Sequence, residues 1–391
     1  MQKKKNIRFR IYILGLYLLL LPIDATLGNI IGSISIVNYI AILYFTTRTI
    51  SLLFEKIKIE PLKKTKWITV YFLYFMVTMV WSLPLSLNKW YIFSILASFF
   101  FFFLASLDTY SDDEFTLLKN IILLSGLIVI GVTLFGLDLG SGKRFNLNIG
   151  RYMDPNYFST GFILITAVLT DNILKKHNLK INVVILVSLV FIVIMTGSRG
   201  GFLANFSVII VAFILDKNNK FKQLPLVLLL LFVFLILLYK FQHLIPNWVL
   251  SRFTINEILQ EGGSGRTKIW ANNLSYFKGQ SLLRILFGTG FATFSAVSMK
   301  TMGTPNAAHS IYIQAIIEGG IIGLTVLLST LLSTLKYLLK SKNRLMFSSI
   351  VGAIVGGALL DIHISRFFWM ILFLSIITLK SSNNKYLQPK A

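Results

Sequence analysis

The sequence predicts an all-α, polytopic membrane protein with about twelve transmembrane helices and one large extracellular loop between the ninth and tenth. Three observations carry that prediction. Hydrophobic residues make up 55% of the 391 positions. They gather in runs of roughly 15–25, enough to cross a hydrocarbon core of about 30 Å as helices. Lysine-rich loops alternate with loops that carry little lysine, the asymmetry that orients membrane helices. The chain therefore reads as a single integral membrane domain, 1–391, with 241–308 as an extracellular subregion.

The apolar runs lie near 11–24, 30–46, 68–86, 91–107, 116–136, 157–172, 181–197, 200–215, 223–240, 310–335, 346–361 and 366–380. The first, IYILGLYLLLL after MQKKKNIRFR, has the shape of a signal peptide. No convincing small-residue cleavage site follows, so it reads as an uncleaved first helix. KKKNIRFR, RTISLLFEKIKIEPLKKTK, DNILKKHNLK, DKNNKFKQ, KYLLKSKNR and the tail KSSNNKYLQPK hold most of the lysines and are assigned to the cytoplasm with both termini. SLDTYSDDEF falls in the same set without that signature, and acidic residues weigh little in the rule.

NLNIGRYMDPN, the TGSRGG turn and the long 241–308 segment fall on the opposite, outer side. Structureless loops of such length are uncommon in compact proteins. PNWVLSRFTINEILQ and RTKIWANNLSYF carry apolar residues at helical spacing around a flexible EGGSG, so short amphipathic helices are expected there.

Composition also excludes. There is no cysteine, hence no disulfide or thiolate metal site. The four histidines, His177, His243, His309 and His363, are too scattered for a metal site. The net charge of +23 comes largely from loop lysines, and no groove-reading or base-stacking motif accompanies it, so nucleic acid is not an expected partner. Walker, Rossmann and HExxH signatures are absent. No metal and no cofactor are expected.

The candidate residues share the outer side. Asp154 before Pro155 is a natural helix start, and Arg151 just ahead of it is a cation near the positive helix end, unfavourable there unless it serves an anion. In TGSRGG, Ser198 can cap the next helix while Arg199 and the glycines make an anion site. An interfacial arginine that merely snorkels to water is the plainer alternative. Arg252 and Arg266 in the outer loop could bind phosphate or decorate a wet face, and Lys268 and Lys278 read mainly as the latter. His309 opens the tenth span. A helix N-terminus and nearby arginines disfavour imidazolium, leaving a neutral ring that can accept a proton. Glu318, beside Gly319 and Gly320, is an acid that should face the protein interior, either orienting His309 or holding helices together. Asp361 and Arg366 could partner it or pair with each other.

In their order, RYMDPN, TGSRGG, GRTKIW and HSIYIQAIIEGGIIG resemble the O-antigen ligase and O-antigen polymerase (Wzy-type) superfamily of bacterial envelope proteins, over about Gly150 to Gly323. The resemblance implies a GT-C-like, metal-independent glycosyltransferase of the bacterial cytoplasmic membrane. It also implies a saccharide donor on undecaprenyl pyrophosphate and an acceptor sugar hydroxyl. By the same resemblance the family's functional arginines fall on Arg199 and Arg266, and its histidine on His309. Family members often carry Asn after the histidine, where this chain has Ser310.

The residues fit that chemistry. Arginine forks match phosphate oxygens. Fixed cations would stabilise charge growing on a leaving pyrophosphate, and His309 would take the acceptor proton. Catalysis is expected from His309, Arg199 and Arg266, with Arg151, Asp154, Ser198, Arg252 and Glu318 at the substrate. A polymerase holds two pyrophosphates and would use spare arginines such as Arg144, Arg151 and Arg252. The Lys-, Ile- and Asn-rich composition suggests an AT-rich genome and a capsule or exopolysaccharide polymerase. A ligase attaching finished glycan is the alternative, and a flippase for the same lipid-linked sugars is a different class. Expected partners are the lipid-linked oligosaccharide, the bilayer, a flippase and a chain-length regulator.

Overall fold

The computed structural model describes residues 7–24, 35–54, 59–82, 89–138, 146–147, 154–216, 240, 247–253, 265–362 and 365–386. Five long helices come first: α1 (Phe9–Leu20), α2 (Ile36–Phe54), α3 (Ile59–Thr78), α4 (Lys89–Ser106) and α5 (Asp112–Gly136). Next come α6 (Pro155–Thr160), α7 (Ile163–Leu174), α8 (Leu179–Met195) and α9 (Arg199–Ile214). The short helices α10 (Asn247–Arg252), α11 (Arg266–Lys278), α12 (Leu282–Phe287) and α13 (Phe294–Met302) precede α14 (Ile311–Lys340), α15 (Arg344–Leu359) and α16 (Arg366–Tyr386). One departure from all-α is a two-residue antiparallel ladder, β1 (Leu137–Asp138) with β2 (Asn146–Leu147). It forms where α5 stops at Gly136 and the freed backbone groups pair with each other.

Among the described residues, all but one of the expected apolar runs overlap a helix, although 157–172 is divided between α6 and α7, and α2 runs on to Phe54 through residues expected in a loop. The exception, 223–240, lies almost wholly outside the described residues, as do Arg144 and Arg151. Among the described residues, four segments are long and apolar enough to cross a bilayer by themselves: Ile36–Phe54, Asp112–Gly136, Pro155–Leu174 and Ile311–Lys340. Six shorter apolar helices accompany them. The order of the chain follows from local chemistry. Asp112, Asp113 and Glu114 occupy the first turn of α5, where negative charge complements the helix dipole. Asn343 caps α15 through the Met346 N–H at 3.2 Å.

Two packing devices build the bundle. The phenylalanine run of α4 enters an aromatic cluster with α3 and α16: Phe72 stacks on Phe99 at 3.6 Å, and Trp369 meets Phe99 edge-on at 5.5 Å. In contrast, α9 and α15 approach through small residues. Gly352 lies against Ala204 and Val208, and Gly356 against Ala204, the kind of close contact that dispersion favours inside lipid. That second contact sets the site, because it fixes the start of α9 beside the end of α15.

α14 is broken at Gly320, whose φ of 67° and ψ of −167° leave the helical region. The strand of chain from Gly288 to Phe294 fills the break. The Thr289 and Gly290 N–H groups donate to the carbonyls of Ile317 and Glu318, each at 2.9 Å. A Cβ on Gly320 would overlap the Leu286 carbonyl. Only glycine fits there.

Candidate functional site

The site grows from two helix starts. Asp154 caps α6, its Oδ1 accepting from the Asn156 N–H at 2.7 Å with Pro155 in the first turn. Ser198 caps α9, its Oγ accepting from the Gly201 N–H at 3.1 Å. The same hydroxyl donates to Asn156 Oδ1 at 2.9 Å, so both N-termini are tied together. The partial positive charge carried by both helix starts gives one region of positive potential. Arg199, half-buried, is the first residue of α9. Ser198 is fully buried, which gives it a holding place rather than a surface toward a ligand.

The end of α15 joins this pair to His309. Leu359 and Leu360 pack on Gly200, and Gly357 packs on Ile311 at the start of α14. Asp361 therefore emerges between the two. Its Oδ1 accepts the Tyr157 hydroxyl at 2.8 Å and lies 4.0 Å from His309 Nδ1, within ion-pair range and longer than a hydrogen bond. Asp361 is almost buried, whereas the His309 side chain is 35% exposed. A ring open on one side and faced by a carboxylate on the other has the layout of a base with its orienting partner.

His309 has a φ of 49°, an uncommon conformation for a residue with a Cβ. It is bracketed by contacts on both sides. Ser310 caps α14 through the Ile313 N–H at 3.5 Å, a job that asparagine does equally well. On the other side, Trp270 Nε1 donates to the Ala308 carbonyl at 2.7 Å. Trp270 and Arg266 share α11, so the helix that opens with Arg266 also holds the histidine loop.

The remaining candidates divide. Arg252 ends α10, which Val249 seats on Ile194 and Met195 of α8 and on Phe202 of α9. Phe253 adds a ring contact to Phe202 at 6.0 Å, bringing Arg252 into the neighbourhood of the TGSRGG turn. Glu318 stands apart from His309. Its fully buried carboxylate accepts from the Ala292 and Phe294 N–H groups and from Gln314 Nε2 at 2.9–3.1 Å, so it fastens the 288–294 segment to α14. Arg366 pairs with Asp24 at 3.1 Å and Asn38 at 2.7 Å, leaving Asp361 to His309 and Tyr157. Lys268 and Lys278 are exposed on α11. Among the described residues no group of three His, Cys, Asp or Glu gathers as a metal site would.

Sequence reasoning passed over Asn156, Tyr157 and Trp270. Asn156 is the last letter of DPN, Tyr157 follows it directly, and Trp270 is the last letter of GRTKIW. Their spacing offered the signal.

Residues 184–328 match the family model described as O-antigen ligase. That stretch is similar to the O-antigen ligase family. It spans the TGSRGG turn, the short helices α10 to α13, His309 and Glu318, and the family implies glycosyltransferase-like activity of the ligase or polymerase type. With its apolar helices, the chain is a membrane protein. No curated protein sequence matches the chain.

Proposed function

We propose that the protein polymerises undecaprenyl-pyrophosphate-linked oligosaccharide repeat units on the outer face of the bacterial cytoplasmic membrane. The observation that carries this reading is the union of two helix N-termini and Arg199 with the His309–Asp361–Tyr157 group. Such a region suits a diphosphate on one side and an alcohol to be activated on the other.

In the reaction, a sugar hydroxyl of a new lipid-linked repeat attacks the anomeric carbon of the growing chain. The bond from that carbon to the pyrophosphate oxygen breaks, and the diphosphate leaves with the electron pair. Arg199 and Arg266, with Arg252 at the neighbouring helix, stabilise the charge it gains. His309 takes the hydroxyl proton, and Asp361 steadies the resulting imidazolium. Attack from the opposite face inverts the anomeric centre. The activated bond arrives with the lipid, so no nucleotide or metal takes part.

The second reading is a ligase that moves finished glycan to a terminal acceptor, favoured by the family description itself. A deletion strain separates them. Loss of a polymerase leaves single repeat units on lipid outside the cell, and loss of a ligase leaves long polymer on lipid. Single units retained inside would point to a flippase and overturn the enzymatic reading.

A further inference from the structure

α12 carries an unusual outer surface. Leu282 and Leu283 are 70% and 69% exposed, and Phe287, one turn beyond Leu283, is also exposed. The opposite side of the segment is engaged, with Ile285 in the cluster of Phe277, Phe294 and Ile317 and Leu286 against Gly320. The question is what covers the leucines.

The height of α12 in the bundle answers it. At one end of α3 and α14 stands an interfacial group: Lys64 lies over the Tyr337 ring at 5.9 Å, and Lys66 over Trp67 at 6.0 Å. Lysine with Tyr and Trp marks a membrane–water boundary. Sixteen residues separate Lys66 from Ser82, and sixteen separate Lys336 from Gly320. At about 1.5 Å per residue both intervals span roughly 24 Å. Ser82 and Gly320 belong to one level, because Ser82 Oγ donates to the Phe291 carbonyl at 3.1 Å and the Gly290 N–H reaches Glu318. With a hydrocarbon core of about 30 Å, this level falls several ångströms inside the far boundary.

The neighbouring surfaces agree. Val77 and Val80 near the end of α3, and Ile321 just past the break in α14, are exposed apolar side chains. Trp81 and Phe287 meet edge-on at 6.2 Å, making the α12 face continuous with that belt. Arg284 lies half-buried on the same short helix, long enough to reach the headgroups.

We infer that α12 is a membrane-interface anchor whose Leu282, Leu283 and Phe287 face sits in the acyl boundary of the outer leaflet. The segment carrying α11 and α13 is thereby held at a fixed height over the bilayer, with His309 at the headgroup level where a lipid-borne diphosphate lies. The sidedness rests on the proposed function. The insertion itself rests on the lysine-marked distances.

The chain has no cysteine, so single reporters can be placed without removing any. Leu283→Cys and, in the exposed turn after α13, Thr304→Cys are each labelled with an environment-sensitive fluorophore in proteoliposomes. The probe is a phosphatidylcholine carrying a nitroxide near the headgroup end of its acyl chain. The inference expects strong quenching and a blue-shifted emission at position 283, with weak quenching and ready labelling by a membrane-impermeant maleimide at 304. Equal labelling of both by that maleimide with no quenching at 283 overturns the anchor and leaves the functional reading intact. Protection of 283 that persists without nitroxide quenching would mean a protein covers this face, and also overturns it. If 304 is reached only from the cytoplasmic side, the outer-leaflet anchor and the proposed sidedness both fail.

Discussion

Two arginine-rich regions of this molecule invite comparison. Around Asp108, which is 1% exposed, Arg8, Arg10 and Arg48 close to 3.4, 2.9 and 3.1 Å, and Arg8 also binds Glu114 at 2.8 Å. These arginines come with carboxylates of their own. They join α1, α2 and the turn before α5. Arg199 and Arg266 open helices, where the backbone already supplies positive potential, and Asp361 accepts from a tyrosine and faces a histidine. A buried cation matched by an acid serves the fold. A cation added to a helix N-terminus raises a potential that favours an anion. Residue type is the same in both regions, and the surroundings assign the role.

Substitutions can break or sharpen that contrast. The largest effect on turnover is expected from His309→Ala, which should cut the rate by about 10²–10⁴ while the protein still inserts at normal levels, as read by polymer formed per folded molecule. Next, Arg199→Ala should lower the rate by roughly 10²–10³. Arg199→Lys should recover only part of it, since an ammonium lacks the fork geometry. If alanine and wild type gave equal polymer, Arg199 would join the structural class. At the other region the observable changes. Asp108→Ala leaves three arginines around a vacated acid and should cost about 3–5 kcal/mol of stability, seen as early thermal unfolding in detergent with near-normal turnover of the molecules that remain folded. The smallest effect is expected from Trp270→Phe. Removing one hydrogen bond worth about 0.5–1.5 kcal/mol should loosen the His309 loop and slow turnover by up to about tenfold with little change in unfolding temperature.

Much of the fold was legible because membrane helices are read from hydropathy alone. A run of apolar residues must satisfy its backbone internally, and in lipid only a helix does so within one segment. The segment between α9 and α14 was less legible. Its helices α12 and α13 are short and take their shape from packing on α14, so LLRILF carries no periodicity long enough to classify. At the site, Arg199 and His309 stood out by polar chemistry at the edge of apolar runs. Asp361 was expected to partner Glu318 or Arg366, and its contact with His309 depends on Gly357 bringing the end of α15 against Ile311 at the start of α14. Glu318 was placed at the substrate from depth and charge. Its three donors come from Ala292, Phe294 and Gln314, and the first two depend on a chain reversal that spacing along α14 could not reveal.

Purified protein in lipid nanodiscs, supplied with lipid-linked repeat units alone, tests the central claim most directly. The account predicts longer glycans together with released undecaprenyl pyrophosphate from the wild type, and neither product from His309→Ala at equal folded amount. Wild-type polymer from that variant would contradict it.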